Sequence, residues 1–360
     1  MRRAGRAGAV PALAVAFVLI AGCAWRLAAD PPAGPWAVER SWRLRVNGVP
    51  EQVWLRGRRA ELPLLLVLHG GPGTSEMALF RHFTPGLEEA FLVAHWDQPG
   101  TGRSYVSEAF ARPLTMEAVL ADLHLVVTHL LRATGRTRLV LLGHSWGSAL
   151  AFQYAQRHPE TVALVAGTGQ VADMRAGERL SWEYARAQAA QRRATVAQRN
   201  LGGIGPPPHT VERMLVARHW VERFGGTFAN GMSTGDLVWG ALRRPETSLL
   251  DLWRFGAGNR RSLAALWPAF AQLDLRQSVP GLEVPVLLLL GRADQVTPAP
   301  LAAAYLEQLR APGKRLVWFE RAAHNVPFEQ PREFVDALRA GYAALVWQPA
   351  HGGPAGAAGL

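Results

Sequence analysis

Ser145 lies in Gly143-His144-Ser145-Trp146-Gly147, after the apolar run 139–142 and before 149–155, which has helical spacing. A strand that turns abruptly into a helix needs glycines beside the turn, because a β-carbon there would clash. The turn holds its central serine in a strained, exposed conformation with Oγ standing out of the sheet. The helix that follows aims unpaired N–H groups at the same spot and can stabilise an anion there. Ser145 is therefore the candidate nucleophile. Such an elbow requires an acid and then a histidine further along the chain.

Both partners occur in that order. The apolar run 285–290 reads as a buried parallel strand that ends in Gly291-Arg292-Ala293-Asp294. That places a carboxylate just past the strand's C-terminal edge, where open α/β sheets bind ligands. The next strand candidate, 315–319, runs into Glu320-Arg321-Ala322-Ala323-His324. Asp294 and His324 are the candidate acid and base. Asp274, His209 and His219 have the right chemistry but stand in regions without strand character. Acyl transfer also needs donors for an oxyanion. The run 64–68 leads directly into His69-Gly70-Gly71-Pro72-Gly73, and glycines let backbone N–H groups turn inward. Gly71 and Trp146 are the natural main-chain pair, each worth roughly 3–4 kcal/mol of transition-state stabilisation.

Three blocks now stand in sequence: His69-Gly70-Gly71-Pro72-Gly73, then Trp96-Asp97-Gln98-Pro99-Gly100-Thr101-Gly102-Arg103-Ser104, then Gly143-His144-Ser145-Trp146-Gly147-Ser148-Ala149-Leu150. Together they resemble the signature blocks of the proline iminopeptidase (prolyl aminopeptidase) branch of the α/β-hydrolases. The resemblance extends through Asp294 and His324 and spans most of residues 60–340. It implies a metal-free and cofactor-free Ser/Asp/His hydrolase whose inserted helical cap selects the substrate. It further implies that cap glutamates hold the substrate's free amino terminus, for which Glu183, Glu212, Glu222 and Glu246 are available, none in a matching motif. Two departures stand out: Pro99 replaces the family's usual arginine, and His144 its usual glycine.

The elements that must position these residues fit an α/β fold with a doubly wound, mostly parallel sheet. At 360 residues and 49% hydrophobic, the chain can bury a large core, and no internal repeat is visible. Apolar strand runs alternate with helical stretches such as 116–133. Segments 41–46 and 52–55 read as an antiparallel pair at one edge. More than a hundred residues separate the strand 162–166 from the strand beginning at 284, far more than one crossover helix needs. Residues 173–278 are therefore expected to form the cap, with Trp182, Trp220, Trp239, Trp253 and Trp267 mostly in its core and one or two of them lining the substrate pocket. The hydrolase core then occupies 41–172 and 279–346, and 347–360 read as a disordered tail.

The formal net charge of +11 does not indicate a nucleic-acid partner. Lys314 is the one lysine, and the arginines are scattered in pairs and short clusters rather than gathered on one face. The N-terminus carries a second signal. Arg2, Arg3 and Arg6 precede the apolar stretch 10–20 and then Ile20-Ala21-Gly22-Cys23, whose cysteine is the one in the chain. This is the layout of a secretory signal, and it resembles a bacterial lipobox. Residues 1–22 would be removed, Cys23 lipidated, and 23–40 left as a flexible tether to the membrane. A single uncleaved N-terminal transmembrane anchor is the alternative, since 7–25 is just long enough. Either reading places the catalytic domain outside the cytoplasm, and one cysteine excludes an intramolecular disulfide.

Two classes of function follow. One is a serine hydrolase acting on a small peptide or ester: an aminopeptidase releasing N-terminal proline or another residue, or else a carboxylesterase or amidase on the same scaffold. The other is a non-catalytic binding protein of the same fold, which would need a broken triad or oxyanion loop. Epoxide hydrolase or dehalogenase chemistry would want a carboxylate where Ser145 stands.

Overall fold

The computed structural model describes residues 36–346. The signal sequence, Cys23, most of the expected tether and the expected tail lie outside the described residues. Eight strands form one sheet: β1 (Val38–Val46), β2 (Val49–Gly57), β3 (Leu64–Leu68), β4 (Leu92–Trp96), β5 (Leu139–His144), β6 (Val162–Thr168), β7 (Val286–Gly291) and β8 (Lys314–Phe319). Their order across the sheet is β1-β2-β4-β3-β5-β6-β7-β8. The pairs β1–β2 and β2–β4 are antiparallel and all others parallel. Strands β3, β5 and β7 are buried along their whole length, as continuous Leu/Val runs covered on both faces must be. The edge strand β1 is largely exposed. It begins inside the segment expected to be tether, because Val38, Glu39 and Arg40 complete the ladder to Gly57, Arg56 and Leu55.

Helices α1 (Met77–Phe83) and α2 (Leu87–Ala90) precede β4, α3 (Met116–Thr134) precedes β5, and α4 (Trp146–Arg157) follows it. The α3 helix starts where Thr115 accepts the Ala118 N–H, and it stops at Gly135 in the left-handed conformation. Between β6 and β7 the regular structure is wholly helical: α5 (Met174–Gln191), α6 (Thr195–Ile204), α7 (Val211–Arg223), α8 (Thr234–Leu242), α9 (Leu249–Phe270) and α10 (Leu275–Ser278). The chain enters and leaves this insertion side by side, where Asp173 and Asp274 bridge and Arg276 pairs with both. Three helices complete the fold: α11 (Ala299–Gln308), α12 (Val326–Glu329) and α13 (Pro331–Leu345).

Apolar clusters cover both faces of the sheet, and a smaller third one joins α5, α6 and α7 through Trp182, Ala185, Leu201 and Phe224. Trp182 and Trp267 are buried and Trp220 packs against the third cluster. Trp239 and Trp253, expected in the cap core, are instead about 60% exposed. The physical reason is depth. Helix α8 lies one layer thick on α1, with Gly240 against Phe83, so its outward face meets no second layer. Trp253 touches only the edge of Tyr105, at 5.5 Å between ring centroids, among the ring contacts of the described residues.

Candidate functional site

Strand β5 ends at His144, and Ser145 turns the chain into α4 with φ 53° and ψ −121°. A non-glycine residue held there is strained. The turn is fixed by the Ser145 N–H donating to the Thr168 carbonyl of β6 at 3.0 Å. The glycine requirement is literal at Gly147, where a β-carbon would lie 1.9 Å from the carbonyl oxygen of Leu68. Trp146 opens the twelve-residue helix α4. Its N–H and that of Gly71, which sits at φ 114°, donate to no described residue. Both therefore remain available to an oxyanion beside Ser145.

Asp294 lies three residues beyond β7 and His324 five beyond β8. Asp294 Oδ2 accepts from His324 Nδ1 at 2.9 Å and from Thr297 Oγ1 at 3.0 Å. Its Oδ1 accepts the Val296 and Thr297 N–H groups at 2.8 and 3.0 Å. Both side chains are buried, whereas Ser145 is partly exposed. The carboxylate thus selects the imidazole tautomer that leaves Nε2 free to accept a proton. Ser145 Oγ has no hydrogen bond to His324 among the described residues. Serine, acid, histidine and glycine loop all project from the C-terminal ends of parallel strands. There the strand order carries the loops of β3, β5, β7 and β8 to one rim.

Ser145, His324 and the glycine loop line a cavity of about 400 Å³, whose other walls include residues of α7, α8 and α9. The four glutamates expected from the cap separate here. Glu246 lines the cavity; Glu183 and Glu212 are exposed on α5 and α7, and Glu222 accepts the Thr234 N–H and Oγ1–H at the start of α8. The last three therefore do not reach the site. The reason is helical phase: α5 buries Glu178, Ser181 and Trp182, which turns Glu183 outward. Glu246 Oε1 is met by Arg81 at 3.3 Å, Arg244 at 3.2 Å and Arg56 at 3.8 Å, while its Oε2 has no hydrogen-bond partner.

Several residues at the site had no individual role in the sequence. Asp97 accepts from Ser75 Oγ and the Arg103 N–H, and burial pushes its carboxyl up to about 7. Arg103 in turn forks onto Asp251 of α9 at 3.2 and 3.1 Å, tying the core to the insertion. Gln98 accepts from the Trp146 indole at 2.9 Å and donates to the His69 carbonyl at 3.1 Å. That explains physically why the three blocks occur together, since Gln98 stitches the glycine loop to the elbow. Glu76, paired with His144 at 2.8 Å, also lines the cavity. Its only signal in the sequence was its place three residues after the glycine loop.

Sheet order, elbow and rim together define a hydrolase of the α/β-hydrolase fold. The family model described as alpha/beta hydrolase fold matches residues 63–331, and the chain belongs to that family. It is 31% identical over 298 residues to the probable aminopeptidase YbaC of Bacillus subtilis (strain 168), covering 82% of this chain and 93% of that one. It is 33% identical to a probable proline iminopeptidase of Streptomyces coelicolor over 156 residues, 42% of this chain and 40% of the relative. The crystal structure of a proline iminopeptidase-related protein from Thermus thermophilus superposes with a TM-score of 0.61 at 23% identity, over 86% of this chain and 99% of that one. The chain is thus a hydrolase of the α/β-hydrolase family, similar to proteins named as an aminopeptidase and as proline iminopeptidases.

Proposed function

We propose that this hydrolase is a serine aminopeptidase that releases an N-terminal residue, proline foremost, from small peptides. Ser145 Oγ attacks the first peptide carbonyl while His324 Nε2 takes its proton. The Gly71 and Trp146 N–H groups receive the developing oxyanion. The tetrahedral adduct collapses as His324 returns the proton to the leaving amine, and water hydrolyses the acyl-enzyme by the same steps. Asp294 orients the imidazole and stabilises its cation throughout.

The observation that carries this reading is the buried Asp294–His324 pair at 2.9 Å, with His324 and Ser145 both lining one cavity. For peptides with a free amino terminus, support comes from the name of the Bacillus relative and from Glu246, a carboxylate lining the cavity, the kind of group that a buried ammonium needs. A second reading, carboxylesterase or amidase, is favoured by the arginines around Glu246, which already offset its charge. The separating experiment compares proline anilides, other amino-acid anilides and short acyl esters. Ser145→Ala should abolish turnover and fluorophosphonate labelling together; a label on any other serine overturns the nucleophile. Glu246→Gln should raise KM for anilides with a free amino terminus and leave esters unchanged; equal effects on both classes favour the esterase.

Membrane attachment through Cys23 forms part of the same proposal. Among the described residues no helix is long and apolar enough to cross a membrane. Cys23→Ser should release the protein from the membrane fraction, whereas unchanged partitioning would count against lipidation.

A further inference from the structure

A second imidazole stands against the nucleophile. His144 Nδ1 lies 2.8 Å from Glu76 Oε1, and its Nε2 lies 3.3 Å from the main-chain oxygen of His324. A carboxylate and a carbonyl only accept, whereas a neutral imidazole has a single N–H to donate. Satisfying both contacts requires one more proton than a neutral ring beside a carboxylate would carry. It rests on the ring or on Glu76; in either form the pair has no net charge, which suits its nearly complete burial.

The pair joins three separate loops. Glu76 precedes α1 at the end of the glycine loop, His144 closes β5, and His324 follows β8. A methyl group placed on Gly70 would lie 3.2 Å from both Glu76 Oε1 and Ser145 Cβ, so the pair abuts the elbow itself. The other ionisable groups facing His144 are the His324 ring, at 5.2 Å between centroids, Asp294 across it, and His69 at the end of β3. Burial pushes His144 down, but the Glu76 charge and hydrogen bond, with the His324 carbonyl, outweigh it and hold the ring above its ordinary range. Burial holds His69 below its own.

We propose that His144 and Glu76 form a positioning pair that holds one proton and pins the His324 loop to the oxyanion loop, fixing where the imidazole stands at the rim. The inference rests on Ser145 and His324 acting as nucleophile and base. Losing the proton turns an Nε2 lone pair toward the His324 carbonyl; the two repel and the loop loosens. Turnover therefore falls at alkaline pH.

The test is a pH profile of kcat and KM on a short acyl ester for wild type, Glu76→Ala and Glu76→Gln. The glutamine amide can donate to Nδ1 while a neutral ring donates Nε2–H to His324, which keeps the geometry without the titrating proton. Glu76→Ala should lower kcat by about tenfold or more with KM little changed. Glu76→Gln should restore kcat near neutrality and lack the wild-type alkaline limb. The proposal is overturned if glutamine fails to rescue, if its profile coincides with wild type, or if Glu76→Ala raises KM alone, which would make Glu76 a substrate contact. If the alanine variant does not fold, the glutamine profile decides. Fluorophosphonate labelling of the wild type separates the two failures. No label on Ser145 removes the nucleophile assignment, whereas labelling with coincident profiles removes only the pair.

Discussion

Replacing Asp294 by asparagine should silence the enzyme while leaving its fold nearly untouched. Oδ1 of Asp294 faces two main-chain donors, the N–H groups of Val296 and Thr297, while Oδ2 faces His324 Nδ1 and Thr297 Oγ1. An asparagine must keep its carbonyl toward the two amides. The opposite orientation would set its NH₂ against two main-chain donors, the buried one at Thr297 costing about 1–3 kcal/mol when left unpaired. The amide nitrogen is therefore forced toward His324 and donates to Nδ1, moving the ring proton to Nε2. The ring then presents a donor to Ser145 and cannot take its proton. Loss of the correct tautomer costs about 10⁴ in kcat in a triad of this design, or roughly 5 kcal/mol of transition-state stabilisation. Stability should change by less than about 1 kcal/mol, because Thr297 Oγ1 and His324 Nδ1 can both accept from the new NH₂. Steady-state kinetics on an ester, with a denaturation curve for each protein, measures both quantities. A folded variant within tenfold of wild-type kcat would refute the reasoning.

Two further predictions concern stability. Glu88 is buried between Arg56, which it holds through two bonds of 2.9 and 2.6 Å, and Arg81 at 3.2 Å. Glu88→Ala leaves two buried guanidiniums with one carboxylate fewer and should cost about 3–5 kcal/mol in urea denaturation; a change under about 1 kcal/mol would show that Glu246 and solvent replace it. Burial, reinforced by Asp122, pushes the Glu51 carboxyl up from 4.5 to about 9. Between those values the native state keeps a proton that the unfolded chain has released, so stability falls as pH rises. Glu51→Gln retains an acceptor for the Trp96 indole and should flatten that slope across denaturation curves at pH 5, 7 and 9; an unchanged slope would place the dependence elsewhere.

Much of the sheet was legible because central parallel strands have no polar face. The runs at β3, β5 and β7 are continuous Leu/Val stretches, and in each case a chemically capable residue follows within a few positions. Chain order then links Ser145, Asp294 and His324 without knowledge of distance. The start of β1 was not legible, because Val38, Glu39 and Arg40 are held by ladder bonds to β2 rather than by apolar side chains. A polar edge strand and a polar tether look alike in one dimension.

Local patterns in the chain were enough to place the residues at the rim: a serine at a glycine-flanked turn, an acid and a histidine after later strands, and a glycine loop upstream. Each is a local requirement, since the turn cannot form with a β-carbon at Gly147 and a buried parallel strand cannot be polar. Tertiary structure decided everything that depends on how one element is rotated against another. The phase of α5 turned Glu183 to solvent, the single layer of α8 left Trp239 uncovered, and only the docking of the insertion brought Glu246 and Asp251 over the core. Glu76 and His144, sixty-eight positions apart in the chain, met because β3 and β5 are neighbours in the sheet. No local pattern encodes such encounters, because the free energy that fixes them comes from burying surfaces that face each other only in the folded chain.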